Sequence, residues 1–305
     1  MLKKKIKELE NKKKEQRKLT RFENTNINFK KRDLLLLYYL FTNHSNTLSM
    51  DLAYEYFYKE MTRRSFENRI NDLTKAKFLN KIPNPETRNS YNKGYRFILG
   101  ASRYAVNFFK HYNYDMERLK KRDGTKLAYI NSNYYKHTNR LPQYYIHDRL
   151  LDKIRFILED HGANYWMTGQ NIWNKNQFDD YKITPDGTKE KNTGENNLYS
   201  RKVDAVFQNR KVYGVELELF RKTKSDYRNI IEQLAQEKQM SKVFWIIDEN
   251  QLNLESVFKE LTSRSKIGDK CRKFWVANLS DVLNKNFVFI NAENDTFDLQ
   301  LILNR

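Results

Sequence analysis

Between residues 29 and 79 the apolar positions fall into three blocks with helical spacing. "FKKRDLLLLYYLFTN" (29–43) is so dense in Leu and aromatic residues that it predicts a buried helix. "LSMDLAYEYFY" (48–58) predicts a second helix, with Ser49 placed to cap its start. In "MTRRSFENRINDLTKAKFL" (61–79), Phe66, Ile70, Leu73 and Phe78 recur with a period of roughly 3.6 and mark one face of a third helix. "NKIPNPETRNSYNKGYRFIL" (80–99) then reads as two short strands around a tip rich in Pro, Asn and Gly. Further on, "YYIHDRLLDKIRFILEDHG" (144–162) sets Ile146, Leu150, Leu151, Ile154, Ile157 and Leu158 on one helical face and ends at Gly162. Residues 174–200 are polar and turn-rich and predict an exposed loop. From 202 the pattern alternates. Strands are predicted over 202–208, 211–219, 242–248, 271–279, 287–291 and 297–303, and helices over 224–240, 252–265 and 280–284.

Three helices and a hairpin predict a winged helix-turn-helix over residues 28–110. In that fold the third helix enters the major groove by its N-terminal residues and the wing flanks it. Arg63, Arg64, Asn68 and Arg69, mainly near the start of the third helix, and Lys93 in the wing are the candidate DNA contacts. A winged helix used for protein contacts is the alternative, and the clustered cations weigh against it. Residues 111–142 read as a connector. The strand–helix alternation over 143–305 predicts an α/β domain with helices packed on a sheet.

Composition adds a partner to this picture. The formal charge is +19 over 305 residues, a balance that points to nucleic acid. Residues 1–27 read as a basic helix or arm. Hydrophobic residues make up 39%, which is lean, but 19 Phe, 20 Tyr and 4 Trp supply enough buried area for two cores. Cys271 is the single cysteine, which excludes an intramolecular disulfide and a cysteine zinc cluster. The longest apolar run, "LLLLYYLF" (34–41), is far short of a bilayer span, and the charged N-terminus lacks the apolar segment of a signal peptide. A cytoplasmic protein with no membrane partner is expected.

The stretch "VDAVFQNRKVYGVELELFRKTKSDY" (203–227) carries the candidate chemistry. Residues two apart on a strand share a face, so Glu216 and Glu218 project together, and Asp204 on the partner strand can face them. Buried carboxylates repel one another and lose hydration, and a divalent cation is one remedy. Lys222 lies four residues past Glu218, where it can steady charge on a phosphate. The alternation in "VELEL" equally allows Glu216 and Glu218 on a solvated face, with Val215, Leu217 and Leu219 in the core. His147 reads as a core histidine or as a side chain reaching the site, and Tyr227 as a DNA contact or a packing residue.

The spacing D-x11-E-x-E-x3-K resembles the PD-(D/E)xK nuclease motif, with Val203 where that motif usually has Pro. With "YRFILGASRYAVNFF" (95–109) and "IHDRLLDKIRFIL" (146–158), its order resembles the replication-relaxation family of plasmids and conjugative elements, which includes the MOBC-type mobilisation relaxases. The resemblance covers roughly residues 28–250. It implies a mixed α/β chain, with an N-terminal winged helix followed by a restriction-endonuclease-like domain built on a central mixed sheet. It implies Mg2+ or Mn2+ held by Asp204, Glu216 and Glu218, with Lys222 catalytic alongside them. The implied activity is metal-dependent nicking of an origin-like double-stranded DNA site, alongside other conjugation or replication proteins, and it allows a homodimer. A non-catalytic replication initiator or transcriptional regulator is the alternative, as is a double-strand endonuclease of restriction or transposition type.

Residues 1–21 hold ten Lys and Arg against three Glu. Deleting them should flatten the dependence of log K on log salt in a DNA-binding titration while leaving the thermal midpoint in place, because phosphate contacts set that slope.

Overall fold

The leucine-rich block forms α1 (Lys31–Thr42), buried through Leu36, Leu37 and Leu40. In this computed structural model the structure describes residues 27–42, 47–83, 97–102, 104–105, 108, 142–164, 166–169, 181–183, 189–191, 203–238, 240–250 and 253–303. After α1 a short strand, β1 (Thr47–Ser49), runs into α2 (Met50–Ala53), which continues as a π-helical turn over Tyr54–Tyr58. Ser49 caps α2 as expected, its Oγ accepting the Leu52 N–H at 3.3 Å. Thr62 caps α3 (Arg63–Lys75), whose Phe66, Ile70 and Leu73 are fully buried. Strands β2 (Leu79–Pro83) and β3 (Phe97–Ala101) pair antiparallel, and β1 joins the other edge of β3, giving the order β1-β3-β2. Three residues are too few for periodicity to register, so β1 is an addition to the predicted hairpin. The hairpin tip, with Lys93, lies outside the described residues.

One buried ion pair ties these helices together. Asp33 is fully buried, and its carboxylate accepts from Arg69 Nη2 at 2.6 Å, Tyr58 OH at 2.8 Å and the Lys30 N–H at 2.7 Å. Arg69 also donates to the Asn28 carbonyl at 2.8 Å. The guanidinium therefore clips α3 to the start of α1. Arg69, expected as a DNA contact, is thus engaged by Asp33 and the Asn28 carbonyl and is only partly exposed.

Helix α4 (Pro142–Asp160) is shared by two cores. Phe156 packs into the N-terminal core and stacks on Tyr56 with ring centroids 4.1 Å apart. Leu151, Ile154, Ile157 and Leu158 pack into the core beneath the large sheet. Arg155, 1% exposed, pairs with Glu159 at 3.0 Å and lies over the Tyr39 ring, whose hydroxyl in turn donates to Glu159. Arg149 reaches Asp51 at 2.9 Å. Ile146, expected on the apolar face, is 38% exposed. Gly162 ends the helix with φ 107°, and a Cβ there would lie 2.2 Å from the Leu303 carbonyl oxygen.

Beyond α4 come β4 (Met167–Thr168), a separate antiparallel pair β5 (Tyr181–Ile183) and β6 (Lys189–Lys191), then β7 (Ala205–Asn209) and β8 (Lys211–Glu218). The pair β5–β6 falls where a loop was expected. The chain continues through α5 (Lys224–Gln236), β9 (Met240–Ile247), α6 (Leu254–Leu261), α7 (Arg264–Ile267), a 3-10 turn (Gly268–Lys273), β10 (Phe274–Asn278), α8 (Leu279–Leu283), β11 (Val288–Ile290), β12 (Thr296–Asp298) and α9 (Gln300–Leu303). The end of the chain, expected as one strand, is thus a short strand followed by a helical turn. Seven strands make a mixed sheet in the order β12-β11-β10-β9-β8-β7-β4, parallel across β8, β9 and β10 and antiparallel elsewhere. Helices α5 and α6 cover one face, and α4 with the C-terminal segment covers the other. The chain is mixed α/β, and among the described residues no helix is long and apolar enough to cross a membrane.

Replacing Asp33 with Ala strands Arg69 and Tyr58 without their acceptor. Breaking a buried pair by removing one partner is strongly destabilising. Asp33→Ala should lower the unfolding free energy by about 3 kcal/mol in urea titrations.

Candidate functional site at the C-terminal edge of the parallel strands

Ligand sites of open α/β sheets lie beyond the C-terminal ends of the strands, and the conspicuous carboxylates of this chain gather there. Strand β8 ends at Glu218, in register with Ile247 at the end of β9, and Glu216 sits beside Trp245. Odd-numbered Val215, Leu217 and Leu219 pack on the α4 face. The even-numbered positions face α5 and α6, where Trp245 and Ile247 are buried. Glu216 and Glu218 are 3% and 1% exposed. The solvated-face alternative therefore fails: β8 is covered on both sides, and its glutamates lie inside the protein.

Asp204 immediately precedes β7, whose first pair is Ala205 with Val215. Continuing that register one step sets Asp204 opposite Glu216. Its Oδ2 accepts the Leu217 N–H at 2.8 Å, so the side chain extends the β7–β8 pairing where the strand has stopped. The same oxygen lies 3.3 Å from His147 Nε2 on α4, and His147 Nδ1 is 3.7 Å from Asp148. Burial works against the imidazolium, but Asp148 and Asp204 outweigh it and push the His147 pKa up to about 10. His147 therefore belongs to the site as a cation rather than to the apolar core.

Lys222, in the loop after β8, closes an ion pair with Glu218. The loop is held at its far end by a capping box, in which Thr223 and Asp226 satisfy each other's backbone N–H groups at the start of α5. Tyr227, one turn into α5, is buried and accepts the Lys222 N–H at 3.1 Å. Burial and the neighbouring Glu218 push its phenol up to about 12 against the opposing Lys222 N–H, so it is neutral and packs as part of the frame. Burial also raises the Glu218 carboxyl, Lys222 pulls it back down, and the charge of Asp204 raises it again.

The structure thus brings Asp204, Glu218, Lys222 and His147 to one edge, with Glu216 on the adjacent buried position. Asp148 is not among the expected site residues; it and Asp152, four residues apart on α4, are both buried. Among the described residues no group of three or more His, Cys, Asp or Glu side chains is placed to hold a metal ion. Mg2+ commonly takes only one or two carboxylates and keeps its waters; Asp204 and Glu218 lie near enough to feel each other's charge. In the N-terminal unit Arg63, Arg64 and Asn68 are exposed along the start of α3, while Arg69 is turned toward Asp33.

Compared with known proteins, the chain matches no family model, no curated protein and no solved structure.

Lys222→Met removes the cation that holds the Glu218 carboxyl down, so that pKa should rise further in a side-chain NMR titration. A carboxyl raised in the folded state contributes stability below its unfolded pKa and loses it as pH rises through the folded value. The variant should therefore lose more stability, measured as the urea midpoint against the parent, at pH 8 than at pH 4.

Proposed function

We propose that the chain binds a specific duplex DNA site and nicks one strand, in the manner of the replication-relaxation proteins whose motif order it resembles. The observation that carries this reading is the pair of buried glutamates on β8, joined by Asp204 and Lys222, at the sheet edge where open α/β folds place their ligands. A buried carboxylate set is costly without a task, and a net charge of +19 favours a polyanionic substrate. The N-terminal unit, three helices and a three-stranded sheet, supports a winged-helix reading. Its exposed Arg63, Arg64 and Asn68 would read the groove.

In this reading Asp204 and Glu218, with Glu216 buried beside them, would hold Mg2+ or Mn2+, which when bound supplies Lewis-acid stabilisation of charge on the phosphate. Lys222, fixed by Glu218 and half exposed, presents its ammonium to that phosphate. His147 keeps the Asp204 carboxylate turned toward the strand end, and the capping box of α5 keeps the loop in place. A second reading has one observation in its favour: His147 and Lys222 already neutralise Asp204 and Glu218 within the chain. That arrangement suits a DNA-binding regulator or initiator that does not cut.

Incubation of supercoiled plasmid carrying the bound site with Mg2+ or Mn2+ decides between them. Open circles are the expected product. Linear product would point to a double-strand endonuclease, and unchanged plasmid to binding alone. Asp204→Asn and Glu218→Gln should each slow nicking by about 100-fold or more. Affinity for the duplex measured without metal should stay the same or rise, because carboxylates repel phosphate until a cation intervenes.

A further inference from the structure

Apart from the carboxylate edge, a cavity of about 460 Å3 opens between the start of α1 and the π-helical turn after α2. Lys30, Lys31, Arg32 and Leu35 line one side, and the segment from Tyr56 to Glu60 lines the other. Four of these side chains are cations and only Glu60 is an acid. The nearest buried acid, Asp33, offers no compensation, because its oxygens already receive Arg69, the Tyr58 hydroxyl and the Lys30 N–H. Tyr58 adds no negative charge either, since burial and Asp33 raise its pKa. Arg32 is held with its guanidinium carbon 5.8 Å from the Tyr58 ring centre. Its Nε is buried and has no hydrogen-bond acceptor among the described residues. A buried donor without an acceptor inside an uncompensated group of cations is unfavourable unless an anion completes it.

We propose that this cavity is a nucleotide site, in which Arg32 and Lys59 grip a phosphate and the half-buried flanks of Tyr56 and Phe57 form an apolar wall for the attached base. Its volume falls within the roughly 300–1,000 Å3 of small-molecule sites. Charge-assisted hydrogen bonds from a guanidinium suit phosphate oxygens. The segment that supplies Lys59 runs through Met61 to Thr62, the cap of α3, so the cavity borders the start of that helix. The phosphate ester is carried either by a nucleotide within a nucleic-acid strand or by a free nucleotide. The site does not depend on cleavage at the carboxylates, and its test is independent of that reading.

The full chain is titrated with ATP and, separately, with a fluorescent oligothymidylate of eight nucleotides, without divalent metal. The Arg32→Gln/Lys59→Gln variant should bind the oligonucleotide at least about 10-fold more weakly than the parent, because two charge-assisted contacts are removed. Competition by ATP, with the same loss in the variant, identifies a free-nucleotide site. Oligonucleotide binding that ATP does not compete identifies a strand site. If the double variant folds poorly, Lys59→Gln alone, at an exposed position, should still weaken binding at least about threefold. Absence of binding by both probes, or variants that bind as the parent does, overturns the proposal. Arg63→Ala/Arg64→Ala, assayed on duplex DNA, tests the α3 reading separately: unchanged duplex binding would remove that reading while the two titrations still judge the cavity.

Discussion

Helix α4 is buried on two sides at once, and the arrangement of the molecule follows from that. One side carries Phe156 and the Arg155–Glu159–Tyr39 cluster into the N-terminal unit, and the other carries Leu151, Ile154 and Ile157 under the large sheet. An isolated amphipathic helix needs one partner surface; this one has two, so neither unit can move far without uncovering apolar area. Its first turns also deliver His147 to Asp204, which places the electrostatics of the carboxylate edge under the control of the same helix.

Two electrically opposite places result. At the sheet edge, acids outnumber bases, and all but the partly exposed Asp204 are buried, so each cation nearby is drawn into a defined pair. At the cavity between α1 and the π-helical turn, cations outnumber acids, and the acid that could balance them is consumed in holding α1 to α3. The same residue type thus has different consequences by depth. Asp33 organises the N-terminal core because it is fully enclosed and saturated with donors, whereas Glu260, exposed on α6, only meets Lys224 at the surface and contributes little there.

Much of the fold was legible because it is written in short-range periodicity. The Phe66–Ile70–Leu73 stripe, the Ser49 cap, the Gly162 stop and the alternation after residue 202 all signal within one or two turns of chain. What was illegible depends on partners distant in sequence. Arg69 looked like its neighbours Arg63 and Arg64 until Asp33, 36 residues away, claimed it. The strand β1 exists because β3 offers an edge, and three residues alone carry no such signal. The carboxylates were legible as a set, from their spacing on β8, but their depth was not. Alternation reports which residues share a face and says nothing about whether a second layer of helices covers it.

That second layer has a consequence for how β8 tolerates change. A half-exposed strand offers every other position as a place where substitutions accumulate at little cost, and saturation mutagenesis of such a strand shows a two-residue beat. Strand β8 has no such side. From Tyr213 to Leu219 each residue is enclosed: the odd ones by apolar neighbours, Gly214 by Met240 and Val243, and the two glutamates by the α5 and α6 layer. The beat is replaced by continuous intolerance with two different penalties, lost packing at the odd positions and misplaced charge at Glu216 and Glu218. The neighbouring parallel strand β9 is enclosed on both sides in the same way from Val243 to Ile247, so the two strands share this constraint.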